Sequence, residues 1–302
     1  MSRSKAPRLL AASAAALLAA TAALAMPQFG SWSGPQNLEA LPGSQDSDIN
    51  TTFVDGCASH TADGLTIYFN SDRDGSHDIY MASRASKSDG FGAPQKLPAP
   101  INTATGTEAC PTISRSGNSL YFLSSRDDAA GDIVASKRGP KGWSNPVNLG
   151  PNINQAGLLD ETPTFYEDDQ GREVMIFSRR GPGEPGVILQ SIEGGPASPV
   201  QFGPNSSAAD NRPSVTHDGL TIFFDSNRGA GGPPDLYYAT RSSVSDPFGT
   251  AVRLTSLSEA GFDARPYISW DGTFLTFSSG RAGNASPAPD IWFATREKAT
   301  GN

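Results

Sequence analysis

Five acidic residues, Asp55, Glu108, Asp160, Asp210 and Asp263, recur at intervals of 53, 52, 50 and 53 residues. Carboxylates gathered round one axis repel one another, which raises some of their pKa values and suits them to acid/base work or to cation binding. Glycoside hydrolysis, for instance, requires two carboxyl groups about 5 to 9.5 Å apart. The local alternative is that each carboxylate caps backbone amides of a neighbouring turn. Its recurrence in every copy makes capping the more economical reading.

Two residues after each acid the chain carries Cys57, Cys110, Thr162, Arg212 and Arg265, so two thiols and two guanidinium groups break the symmetry of the repeat. Cys57 and Cys110 are the only cysteines. In an exported protein a disulfide between neighbouring repeats is expected, provided their Cα atoms lie within about 7 Å. Two thiolates alone make no convincing zinc site. Arg212 and Arg265 either neutralise nearby carboxylates or bind a ligand carboxylate or phosphate. His60 stands where the other copies carry Ile113, Phe165, Val215 and Ile268, so it is either a hydrogen-bonded core histidine or a channel-lining base or ligand. His77 and His217 fall in different turns and no metal cluster is evident, while the sequence leaves the cofactor open.

The elements that position these residues follow from the repeat itself. The segment GLTIYFNSDRDGSHDIYMASR from Gly64 recurs as NSLYFLSSRDDAAGDIVASKR from Asn118, GLTIFFDSNRGAGGPPDLYYATR from Gly219 and GTFLTFSSGRAGNASPAPDIWFATR from Gly272, with a degenerate copy from Arg172. Each unit reads as a short apolar strand, a Gly turn, a second strand, a polar loop, a third strand, and a fourth strand with an aromatic and a proline, such as Phe91, Pro94 and Leu97. Four antiparallel strands per unit without helical periodicity predict an all-β fold, a five-bladed β-propeller of four-stranded blades. The fifth unit lacks its last strand, and Gly30 to Leu38 supplies it, so the N-terminal strand closes the last blade.

The pattern acidic-x-x-Pro, then DG, then F-x-S-x-R, then D-I-Y-x-A-T-R resembles the short propeller repeat of TolB-like proteins, over nearly all of residues 26–302. The resemblance implies the propeller, and the N-terminal domain of TolB itself is not part of the pattern. Propeller glycosidases of five blades are also similar in placing carboxylates on the inner strands around a central pocket. A propeller is a scaffold for binding and for catalysis alike.

Repeated Arg residues, Arg73, Arg126, Arg180, Arg228 and Arg281, follow the second strand, and Asp78, Asp132, Asp235 and Asp290 open the third. Bracketing the same loop, they are expected to pair and hold it. Blade geometry places these loops and the acidic residues together on one face, here called the upper face, which is where the chemistry is expected.

Residues 1–25 carry Arg3, Lys5 and Arg8 before an Ala/Leu-rich run ending Ala23-Leu24-Ala25, which reads as a cleaved signal peptide with residues 26–302 as one domain. The mature protein is then expected outside the cytoplasm, periplasmic or secreted, as a monomer without membrane insertion. The leader holds three cations, so its removal takes the formal charge from −8 to −11. Such acidity disfavours nucleic acid and anionic membranes as partners. Two functions remain: a module that binds a protein or glycan through an acidic upper face, or a carbohydrate-active hydrolase or lyase using the ring of carboxylates. No G-x-S-x-G elbow supports a serine enzyme.

Overall fold

In the computed structural model, which describes residues 29–44, 47–229, 232–259 and 261–299, each repeat is one antiparallel sheet. The first sheet runs Asp55–His60, Thr66–Ser71, Asp78–Ser83 and Gln95–Lys96 from the axis outward. Glu108–Ile113, Leu159–Glu167, Asp210–Val215 and Asp263–Ile268 are the innermost strands of the other four. The protein is therefore an all-β propeller of five four-stranded blades. In the second blade a two-residue segment, Gly142–Trp143, also pairs with the third strand.

Alternation along the second strands explains the ring. In Thr66–Ser71, Ile67 and Phe69 point to one face and Tyr68 to the other, yet all three are buried. Each face packs on a different neighbour: Ile67 and Phe69 meet Ile291 and Phe293 of the fifth blade, and Tyr68 meets Leu120, Phe122 and Val134 of the second. Corresponding apolar clusters fill the other three blade junctions. The core is thus divided among five seams, with a smaller apolar cluster of Cys57, Ala109, Cys110 and Leu123 where the innermost strands of the first two blades meet.

The last blade closes as its missing strand requires. Gln36 pairs with Phe293 and Asn37 with Trp292, while the Gly30 and Ser33 amides donate to Glu297 and Thr295 carbonyls at 2.9 and 2.7 Å. Only Gln36–Asn37 of the expected Gly30 to Leu38 strand forms a regular ladder. The Arg296 guanidinium lies 3.9 Å from the Phe29 ring and 4.4 Å from the Trp32 ring, which adds a cation–π contact to the clasp. The expected signal peptide lies outside the described residues. No helix among the described residues is long and apolar enough to cross a membrane.

Every innermost strand carries a bulge at the same place. The bulged residues are Cys57, Cys110, Thr162, Arg212 and Arg265, all with φ between 47° and 58°, a left-handed conformation that non-glycine residues rarely adopt. Blade-to-blade hydrogen bonds hold it. The Ser278 hydroxyl accepts from the Cys57 amide at 3.3 Å, the Asn70 amide oxygen from Cys110 at 3.2 Å, the Ser178 hydroxyl from Arg212 at 3.1 Å and the Asp225 carboxylate from Arg265 at 2.9 Å. Leu123 occupies the equivalent position before Thr162 and has no acceptor to offer.

Candidate functional site

The five carboxylates head the innermost strands and are at most 1% exposed. Each is saturated with partners. Asp55 accepts from Arg73 at 2.7 Å and from the Thr51 amide at 2.7 Å. Glu108 accepts from the Thr103 amide and Ser124 hydroxyl, each at 2.9 Å, with Arg126 at 3.4 Å. Asp160 meets Arg179 at 2.7 Å and the Gln155 amide at 2.9 Å. Asp210 and Asp263 repeat the arrangement with Arg228 and Arg281 at 2.6 and 2.7 Å, adding Ser226 and Ser279 hydroxyls and the Ser206 and Glu259 amides. Each carboxylate ties the loop entering its own strand to the arginine after the next strand.

This corrects the pairing expected within the upper loops. The repeated arginines bond the acids of the innermost strands, not the aspartates that open the third strands. Asp78 meets Lys96 at 2.7 Å, Asp235 meets Arg253 at 2.7 Å and Asp132 accepts from Asn148 at 2.7 Å. Asp290, held only by Asn37 and the Ala285 amide, is pushed up to about 6 by burial. In the third blade Arg179 does the work expected of Arg180.

Cys57 and Cys110 are joined in a disulfide between the first two blades, with their Cα atoms 4.7 Å apart. Neighbouring blades converge at the axis, so equivalent positions come within bridging distance there. Arg265 lines a small space beside the disulfide. Arg212 is shared between Asp225 at 3.1 Å and Glu161 at 3.5 Å, which leaves both carboxylates turned toward it. The Arg265 side chain has neither a hydrogen bond nor an ion pair among the described residues, and its Nε and Nη1 are enclosed. Glu161 and Asp225 are the acids that sequence reading missed here; only their departure from the Gly, Ala, Asn, Leu and Ser found in other blades marks them.

His60 is a core residue in its surroundings: buried, edge-on to the Tyr267 and Phe274 rings at 5.3 and 5.2 Å, with Nε2 3.3 Å from the Thr276 hydroxyl. Burial, helped by the nearby Arg84 charge, drives its pKa down to about 3. The unfolded chain therefore takes up a proton below about 6.5 while the folded one does not, so this stability is complete above pH 6.5 and is lost as pH falls toward 3. His60→Ile, matching Ile113 and Ile268, is expected to remove that loss. Chemical denaturation at pH 7 and pH 4.5 should show the parent losing about 2–3 kcal/mol more than the variant over this interval; equal losses would contradict it.

A cavity lies at the opposite, lower end of the channel. It holds about 120 Å3 and is lined by Tyr121, Phe165, Tyr267, Trp270, Arg115 and His217, among others. The hairpins joining first and second strands deliver the last three. At the residue after the one whose carbonyl closes each turn, the blades carry Ala62, Arg115, Asp169, His217 and Trp270. His217 stacks on Trp270 with ring centres 4.2 Å apart, and the Arg115 guanidinium lies 5.2 Å from the same indole. Arg115 only donates, so at 3.4 Å His217 Nε2 is the acceptor and Nδ1 carries the proton, buried and without a partner.

The third blade extends this mouth. Its first hairpin is longer than the others, Leu159–Glu167 against six residues elsewhere, and brings Glu167 and Glu173 directly opposite each other at the cavity edge. Burial, with the Glu193 and Glu167 charges, raises the Glu173 pKa. The lower face was read from sequence as turns only. Its signal was the irregularity of one turn position that packing does not dictate.

The chain superposes on the catalytic domain of a GH62 α-L-arabinofuranosidase from Coprinopsis cinerea with a TM-score of 0.59 at 13% identity, over 91% of this chain and 100% of that one. The arabinanase Arb43A from Bacillus subtilis gives 0.55 at 12% identity, over 81% and 94%. A putative TolB from Agrobacterium tumefaciens gives 0.49 at 16%, over 90% and 100%. No protein-family model and no curated protein sequence matches the chain. At these identities what the chain shares with the two glycoside hydrolases is the five-bladed propeller fold.

Proposed function

We propose that the protein is an exported, carbohydrate-active propeller that holds a saccharide at its lower mouth. One observation carries this reading: turns from three blades place Arg115, His217 and Trp270 together over a cavity walled by Tyr121, Phe165 and Tyr267. Flat aromatic faces suit the C–H faces of a sugar ring, and a few convergent donors suit its oxygens. The upper acids, in contrast, are buried and already bonded, and offer a ligand no free face. The named activities of the arabinofuranosidase and arabinanase sharing this fold point to the same class of ligand. The disulfide fits an oxidising compartment, which supports export.

Hydrolysis is a second reading, favoured by Glu167 and Glu173. They stand directly opposite each other at the cavity edge, and glycoside hydrolysis uses a pair of carboxyl groups. A raised pKa on one member suits a proton donor.

A glycan array followed by calorimetry on the selected saccharide tests the proposal. Trp270→Ala is expected to weaken binding about tenfold or more, since it removes the stacking surface. Unchanged affinity in the variant, or no retention of any glycan by the parent, would sink it. Chromatography of the same incubation separates the two readings: shorter products indicate hydrolysis, and an intact ligand indicates binding alone.

A further inference from the structure

We propose that the propeller channel binds one monatomic anion of the halide class between the Arg265 guanidinium and the Thr162 hydroxyl. The site is distinct from the saccharide cavity and independent of that reading.

Three observations converge on it. First, a small space of about 10 Å3 is lined by the bulged residues of four blades, Cys57, Cys110, Thr162 and Arg265, with Pro111, Pro266 and Tyr267 among its other walls. A volume of that order admits one water-sized particle. Second, Thr162 is 8% exposed and its Oγ1 has no partner. Third, Arg265 Nε and Nη1 are enclosed and unpaired, although an enclosed guanidinium ordinarily meets acceptors on every donor.

Charge decides between an anion and a water. Glu161 and Asp225 both turn to Arg212, and Asp225 spends its other oxygen on the Arg265 backbone amide. The Arg265 guanidinium charge therefore has no direct counter-ion. Burial and the neighbouring Arg212 charge bring its pKa down to about 10, although the Glu161 and Asp225 charges act in the opposite direction. A water would satisfy the donors without answering the charge. A halide answers both, and the disulfide, proline and tyrosine walls suit a weakly hydrated ion. Gly56 leaves the needed room, because a Cβ there would come within 3.3 Å of Arg265 Nη1 and 2.4 Å of the Ser278 hydroxyl.

Crystals grown in sodium bromide should show one anomalous peak in contact with Arg265 and Thr162. In solution, the thermal midpoint should rise saturably when bromide or chloride replaces gluconate at fixed ionic strength. That increment should vanish in Arg265→Gln and shrink in Thr162→Val, which keeps every charge and protects the test if the first variant folds poorly. A map without a peak at this position, or an increment equal in the parent and Thr162→Val, would overturn the proposal and leave the channel to water.

Discussion

Asp263→Ala is expected to destabilise the protein by about 3–5 kcal/mol, because it leaves the enclosed Arg281 guanidinium with only the exposed Glu259 carboxylate, 3.8 Å away. Arg281 is nearly as buried as Asp263 and approaches it at 2.7 Å, and it also donates to the Leu257 carbonyl and the Ser279 hydroxyl. Removing the carboxylate takes away the close, buried partner of that charge and frees the Glu259 amide and the Ser279 hydroxyl together. For a chain of this size the loss corresponds to a fall in Tm of roughly 6–20 °C. The same substitution is expected to leave saccharide affinity near that of the parent at temperatures where the variant is folded. Loss of binding with little loss of stability would return the function to the acidic ring.

The disulfide comes next in size. Cys57 and Cys110 close a loop of 53 residues, and the chain-entropy model assigns about 4 kcal/mol to a loop of that length. Replacing both cysteines by serine should therefore lower the denaturation midpoint strongly, and reducing agent should destabilise the parent but not the double variant. Since the bond links the first blade to the second, it restrains a seam otherwise held by Tyr68, Leu120 and Phe122. Equal midpoints with and without reductant would show that the bond contributes nothing.

The propeller was legible because its information is repeated. A turn glycine, an apolar second strand and an acid about 50 residues apart recur in every blade, so weak local signals reinforce one another. The clasp was legible for the same reason, since one missing strand and one spare strand stand at opposite chain ends. The bulges were not, because Cys, Thr and Arg fill a left-handed position that composition would assign to glycine.

Pairing of charged residues was misread because proximity in sequence was taken for proximity in space. Asp78 is five residues from Arg73, yet antiparallel register sets Asp55 against Ser71, and the arginine two residues on folds back to it. The lower mouth was missed for a related reason. Turns were read as connections, while the variation from Ala62 to Arg115, His217 and Trp270 at one turn position fell outside every core and every strand. His60 was legible as an exception among Ile113, Phe165, Val215 and Ile268, and the two aromatic rings against it account for the exception.

Where a bound saccharide sits is the most direct test of the account. A crystal structure with the oligosaccharide selected on the array should place a sugar ring against Trp270, within hydrogen-bonding reach of Arg115 and His217. A sugar seated instead at the upper mouth, over Asp55, Glu108, Asp160, Asp210 and Asp263, would contradict it.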